Sequence, residues 1–228
     1  MSASTGPRHA IVLGSSGLVG ARAVDRLLAD ERGGDVTCLV RRASDRAHPR
    51  LHERVVGFDA LESVPNATDV LCAIGTTMKK AGSREAFRRV DYEIPLRVAE
   101  LARDAGATRF VLVSSVGASA SAGSFYLKTK GELEEALARL AFDELVVLRP
   151  SFLAGDRADS RPAEAVGIAF AKAVGGLMVG GLRKYRAISA DVVARAMVAA
   201  CAAPPSAGAP RVRVLEHDAI VELARRVA

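Results

Sequence analysis

A chain of 228 residues suits one large domain, because a single hydrophobic core stops growing near about 250 residues. Half of the residues are hydrophobic and 25% are charged, which argues against a disordered chain. The formal net charge of +6 suits an anionic ligand, but 4% aromatics and scattered basic residues argue against nucleic acid as a partner.

In chain order, short apolar runs alternate with longer amphipathic ones. HAIVLG, from His9, reads as a strand that passes through glycines into the helix LVGARAVDRLLAD, where Val19, Ala23 and Leu27 recur at helical spacing. DVTCLV from Asp35, RVVGF from Arg54 and DVLCAI from Asp69 read as buried strands. IPLRVAELARDAG, from Ile94, reads as a helix ended by Gly106, and RFVLVSS, from Arg109, as the next strand. The helix YLKTKGELEEALARL starts at Tyr126, and the strand ELVVLRP, from Glu144, is stopped by Pro150. APPSAGAP, from Ala203, reads as a surface loop before a last strand, RVRVLE from Arg211, and a last helix, DAIVELARRV from Asp218. Repeated strand, helix, strand connections predict parallel strands, and their apolar character predicts helices on both faces. The expected fold is a doubly wound, mostly parallel α/β sheet in one domain over 1–228.

Cys38, Cys72 and Cys201 lie far apart and form no CxxC pair, which argues against a disulfide framework or a zinc site; no metal is expected. The first ten residues lack the apolar stretch of a signal peptide, and no run reaches the roughly 20 apolar residues of a membrane span. These features together predict a cytoplasmic protein.

The turn Gly14-Ser15-Ser16-Gly17-Leu18-Val19-Gly20 joins the first strand to the first helix. A tight turn needs Gly14, backbone approach to a diphosphate needs Gly17, and helix-on-strand packing favours Gly20. The amides and positive dipole end of the helix then face the phosphates, so the motif predicts dinucleotide binding. The second strand ends in Val40, Arg41 and Arg42, where an NAD-selective site has an acid for the ribose 2′-hydroxyl. Paired guanidinium groups suit a 2′-phosphate instead, which favours NADP(H) over NAD(H), although Arg46 and Arg50 follow and the run also reads as a solvated loop. Asp59 either meets the adenine amino group or caps a turn.

Tyr126 and Lys130 form a YxxxK, and positions i and i+4 share one helical face. Upstream, Ser114 and Ser115 end a strand at the carboxyl edge, where open α/β sheets bind ligands. A serine holds a carbonyl oxygen, a tyrosine passes a proton, and a nearby ammonium eases proton loss from a phenol.

Two stretches carry a resemblance over nearly the whole chain: IGTTMKKAGSREAFRRVDYEIPLRVAELARDAGATRFVLVSSVGA and FYLKTKGELEEALARLAFDELVVLRPSFLAGDRADSRPAE. With the glycine turn they resemble the atypical, epimerase-related branch of the short-chain dehydrogenases/reductases, and within it the Tat-interacting oxidoreductase-like family and its bacterial relatives. The resemblance implies an NADP-binding Rossmann domain with Ser115, Tyr126 and Lys130 at the catalytic positions, and Ser114 competing for the serine role. It implies Gly75 and Thr76 along the cofactor, and Arg149, Pro150 and Ser151 near the nicotinamide. Asp91 stands where this branch commonly has an asparagine. The short interval from serine to tyrosine, with no sizeable C-terminal substrate domain, disfavours nucleotide-sugar epimerisation.

The substrate side is expected at about 151–190. Asp156-Arg157 through Arg161-Pro162 is polar. Gly167 to Leu182 suits a lid, a subunit contact or ordinary core packing, and Arg183-Lys184-Tyr185-Arg186 reads as a solvated loop. Ser189 reads as a helix N-cap. The expected function is an NADPH-dependent oxidoreductase of a small carbonyl or alcohol. The alternative, also implied by the resemblance, is a regulatory or scaffolding NADP(H)-binding protein with little turnover; a homodimer or a protein partner is open in either case.

Overall fold

Seven runs of four or five residues, most of them Val, Ile, Leu or Cys, line up as one all-parallel sheet. They are β1 (Ala10–Leu13), β2 (Val36–Val40), β3 (Leu51–Val55), β4 (Asp69–Cys72), β5 (Arg109–Val113), β6 (Glu144–Leu148) and β9 (Arg211–Leu215). The sheet order is β3-β2-β1-β4-β5-β6-β9, so the winding reverses between β1 and β4. A short two-stranded ribbon pairs β7 (Leu153–Ala154) with β8 (Ile188–Ser189). The computed structural model describes residues 8–31, 33–151, 153–154, 180–202 and 211–226. The loop expected at 203–210, the polar stretch 156–162 and the glycine-rich stretch up to residue 179 lie outside them.

The central strands are apolar on both sides because both sides are covered, as expected for parallel sheets. Side chains alternate between faces along each strand. Val12, Val36, Cys38, Leu71, Val111 and Val146 pack with α1 (Leu18–Ala29), α6 (Ala190–Ala200) and α7 (His217–Ala224) on one face. Ile11, Leu39, Val70, Phe110, Leu112 and Val147 pack with α4 (Ile94–Asp104) and α5 (Phe125–Arg139) on the other. Ser189 caps α6 by accepting from the Val192 N–H at 3.2 Å. Arg183, in a 3₁₀ turn at Gly180–Tyr185, pairs with Asp218 at 3.0 Å.

One strand sits three residues earlier than its sequence suggests. β3 is LHERV, with Leu51 opposite Val36, not RVVGF from Arg54. As an edge strand it tolerates His52, Glu53 and Arg54, which an interior strand would not. Val56 and Phe58 instead pack on the core as the chain enters a 3₁₀ turn at Phe58–Ala60.

At the amino ends of the central strands, the first residues carry alternating charge and lie in register: Asp69 beside Arg109, and Arg109 beside Glu144. Arg109 donates to Asp69 at 3.0 Å and to Glu144 at 2.8 Å, both buried. Arg8 closes one end on Asp69 at 2.6 Å, and Arg213 the other on Glu144 at 2.9 Å. Burial opposes the ionisation of Glu144, yet the bonds from Arg213 and Arg109 hold its carboxyl below the usual range. This end of the sheet is locked by charge, and the opposite end carries the candidate site.

Candidate active site at the carboxyl ends of the strands

The glycine turn lies at the reversal point between β1 and β4, where open α/β sheets form a crevice. Gly14 has φ +87°, and a side chain there would lie 2.6 Å from the Ile74 nitrogen, so the turn lodges against the chain leaving β4. A Cβ on Gly20 would lie 2.1 Å from the Gly14 oxygen, so α1 can approach β1 only without one. Gly17 is different: it is exposed, and its Cβ would meet nothing closer than the Gly14 oxygen at 3.2 Å. Its missing side chain leaves the outer face of the turn open. Gly17 is also the N-cap of α1, with no side-chain cap and no acid in the first turn, so no side chain competes for the leading amides of the helix. Ser15 is buried and Ser16 exposed; Leu18 is half-buried, and Val19 is buried in the core.

Beyond β2, tertiary contacts sort the four arginines. Arg46 pairs with Asp25, and Arg50 donates to the Leu28 oxygen at 2.5 Å and the Gly33 oxygen at 2.8 Å, closing the end of α1. Glu53 receives both the Ser44 amide, at 2.6 Å, and its hydroxyl, at 2.8 Å, which pins the loop. Arg41 and Arg42 remain exposed, with no hydrogen bond or ion pair among the described residues. Asp59 is exposed and bridged by Arg89, whose Nε donates at 2.7 Å.

After β4 the chain passes through Gly75 and Thr76. The Thr76 N–H donates to Asp91 Oδ2 at 2.8 Å, and Asp91 Oδ1 pairs with Lys130 Nζ at 2.8 Å. Both side chains are buried, with 0% and 5% exposure. Burial works against the Lys130 ammonium, but the charge of Asp91, with Tyr126 beside it, holds the group above its ordinary range. An ammonium has three N–H donors, and Lys130 has one partner among the described residues. A Cβ on Gly75 would lie 3.6 Å from Nζ and 3.2 Å from Asp91 Oδ1; without it, backbone alone separates the pair from the exposed side of the loop.

Helix α5 carries the YxxxK. Tyr126 is half-buried, its ring 5.7 Å from that of buried Phe87, and its hydroxyl makes no hydrogen bond among the described residues. Lys128 is exposed, so of the two lysines in YLKTK it is Lys130 that faces inward. The two serines after β5 separate cleanly. Ser114 is buried and donates to Glu134, the same carboxylate that Arg149 clamps through Nε at 3.1 Å and through Nη2. Ser115 is half-buried and its hydroxyl has only a long 3.4 Å contact to the Val116 oxygen. Pro150 is buried and its oxygen receives the Val116 N–H at 2.9 Å, while the Ser151 hydroxyl donates to the Arg186 oxygen. The structure therefore commits Ser114, Arg149 and Ser151 to contacts that tie strand ends together; among the described residues the Ser115 hydroxyl keeps only its long contact to Val116, and the Tyr126 hydroxyl has none.

A family model described as NAD(P)H-binding matches residues 14–204. The rat protein HTATIP2 is 35% identical over 225 residues, covering 96% of this chain and 90% of its own. Mitochondrial protein fmp52 of Aspergillus niger is 34% identical over 197 residues, covering 82% and 84%. The chain belongs to the NAD(P)H-binding family, among the HTATIP2-like atypical short-chain dehydrogenases/reductases. The human epimerase family protein SDR39U1 (isoform 2), solved with NADPH, shares the fold at a TM-score of 0.56 and 22% identity, covering 91% of this chain and 74% of that one.

For this family the residues present fit a dinucleotide. The open face at Gly17, the uncapped amides of α1 and the spare donors of Lys130 beside Gly75 are groups that an anionic, hydroxyl-bearing ligand would satisfy. One expectation is overturned: relatives in Aspergillus niger and Candida albicans are named mitochondrial proteins, so a missing signal peptide and apolar stretch do not make a family member cytoplasmic. No helix among the described residues is long and apolar enough to cross a membrane.

Two features escaped the sequence reading. Glu134 follows Tyr126 at i+8 and Lys130 at i+4 on α5, a spacing that was open to view. Gly131 sits mid-helix, where a Cβ would lie 2.2 Å from the Ser119 carbonyl carbon; it lets the loop after β5 lie directly on the helix.

Proposed function

We propose that this chain is an NADPH-dependent oxidoreductase that reduces a small carbonyl compound, or runs the reverse reaction on the alcohol. The observation that carries this reading is a buried Lys130 ammonium with one partner among the described residues, one helical turn from a Tyr126 hydroxyl that makes no hydrogen bond among them, at the sheet edge that holds the glycine turn. NADPH, when bound, supplies a hydride. Ser115 holds the carbonyl oxygen of the substrate. Tyr126 delivers its phenolic proton to that oxygen as the carbon gains the hydride, and recovers a proton from water. Lys130 stabilises the phenolate by its charge and holds a ligand hydroxyl with its free donors. The choice of NADPH over NADH is supported by Arg41 and Arg42, which have no acid beside them at the end of β2 and no partner among the described residues.

Calorimetric titration with NADPH, NADP⁺ and NADH tests the cofactor. NADPH is expected to bind at least tenfold more tightly than NADH. A charge-assisted bond contributes about 1.5–3 kcal/mol, less where water screens it, so Arg41→Ala with Arg42→Ala is expected to weaken NADPH by roughly ten- to a hundredfold and leave NADH unchanged. The loaded protein is then offered a panel of carbonyl compounds. Equal affinity for the two nucleotides refutes the 2′-phosphate assignment. NADPH binding without substrate-dependent oxidation, or full activity in Tyr126→Phe, refutes the reaction.

A further inference from the structure

We propose that Asp91 is a positioning residue for the dinucleotide: its carboxylate keeps Lys130 charged and in place and pins the Gly75–Thr76 backbone, so that ligand affinity depends on a charge outside the Ser/Tyr/Lys set. The affinity clause rests on the dinucleotide reading above; the coupling of Asp91 to Lys130 does not.

Asp91 lies in a π-helical turn, Arg89–Glu93, between α3 (Arg84–Arg88) and α4. Such a turn inserts one residue into the helical repeat and recurs at functional sites. Here it accompanies a fully buried carboxylate, with 0% side-chain exposure. Each of its oxygens has a different task. Oδ2 receives the Thr76 N–H and fixes the strand-end loop; Oδ1 pairs with Lys130 from α5. Three separate elements therefore meet on one carboxylate. An asparagine, common at this place in the epimerase-related branch, accepts the Thr76 N–H equally well but carries no charge. Asp91→Asn thus separates the two tasks.

The ionisable groups around Lys130 are few. Asp91 approaches from the π-turn, Tyr126 from its own helix and Cys72 from β4. Burial pushes the Cys72 thiol up to about 12, so it remains neutral over the tested range. Without Asp91 the ammonium has burial against it and no counter-charge, and a buried lysine in that position gives up its proton.

The test uses the full chain, labelled with ¹³C-lysine, as wild type, Asp91→Asn, Lys130→Met and the double variant. The chain has six lysines, and the Lys130 resonance is the one missing from Lys130→Met. In the protein without nucleotide, Lys130 is expected to titrate in Asp91→Asn at least two pH units below wild type. NADPH affinity of Asp91→Asn is expected to match wild type within about threefold at pH 6 and to be at least tenfold weaker by pH 9. Unchanged Lys130 titration overturns the proposal, as does an affinity loss that is the same at every pH, which a purely structural role would produce. A shifted Lys130 in a protein whose wild type binds no NADPH supports the coupling and overturns the reductase reading. Should Asp91→Asn not fold, the double variant decides: with no charge left unpaired it must melt above Lys130→Met, and melting at or below that variant overturns the coupling.

Discussion

Gly131→Ala separates a glycine required by packing from one that merely weakens a helix. In an open helix the change stabilises by about 1 kcal/mol, because glycine loses more backbone entropy on folding. Here the new methyl would lie 2.2 Å from the Ser119 carbonyl carbon and 2.4 Å from the Ala120 nitrogen. Ordinary contact begins at 3.4 Å, so the loop must retreat by about 1 Å, and the opposing atoms are backbone with no rotamer to adjust. Overpacking of this kind costs about 3 kcal/mol, which leaves a net loss of roughly 2 kcal/mol after the helical gain. The loop is tied to the helix by the Ser119 N–H on the Leu127 oxygen at 3.3 Å, and it contains Ser115, so its retreat also displaces the candidate serine. Urea denaturation is expected to show a midpoint about 1 M lower at unchanged slope, together with weaker substrate turnover. A variant as stable as wild type, or more stable, refutes the packing argument.

The glycine turn predicts opposite outcomes for two of its members. Gly20→Ala, with its methyl 2.1 Å from the Gly14 oxygen, is expected to lose at least about 2 kcal/mol in urea melts. Gly17→Ala, with 3.2 Å of clearance, is expected to keep its stability within about 0.5 kcal/mol and yet bind NADPH at least tenfold more weakly; equal binding would show that no ligand approaches there. Glu144→Gln leaves Arg109 and Arg213 with less counter-charge and is expected to lose about 3 kcal/mol at pH 7. The folded carboxyl of Glu144 lies below its unfolded value of about 4.3, so its contribution is complete above that pH and disappears as pH falls through the folded value. The gap between wild type and variant in urea midpoint should therefore be full at neutral pH and narrow steadily as pH falls below about 4.3; a gap that does not narrow on acidification refutes the assignment.

The interior strands were legible because burial on both faces leaves a nearly unbroken apolar signature, as in AIVL and ELVVL. β3 was misplaced because an edge strand carries no such signature, and LHERV looks like a loop until its pairing with β2 is known. The glycine turn and the YxxxK were legible for a different reason: each is a local spacing that encodes its own geometry. What escaped depends on contacts between distant residues. Nothing in the run Arg41-Arg42-Ala43-Ser44-Asp45-Arg46 tells which arginines are free, since that is decided by Asp25, the end of α1 and Glu53. Arg149, expected near the nicotinamide, holds Glu134 from 15 residues away, and Asp91 turns inward within a π-turn that breaks the 3.6-residue repeat.

The two ends of the sheet treat charge differently, and the contrast supports the proposed site independently of any motif. At the amino end, each oxygen of Asp69 and Glu144 has a donor, from Arg8, Thr68, Arg109 or Arg213. Removal of any partner there strands a buried charge, so that end serves stability. At the carboxyl end, the Lys130 ammonium has one partner for three donors, the Tyr126 hydroxyl has none among the described residues, and α1 begins without a side-chain cap. These groups lie at or near the surface of the crevice, where a ligand with phosphates for the helix amides and hydroxyls for the lysine would complete them.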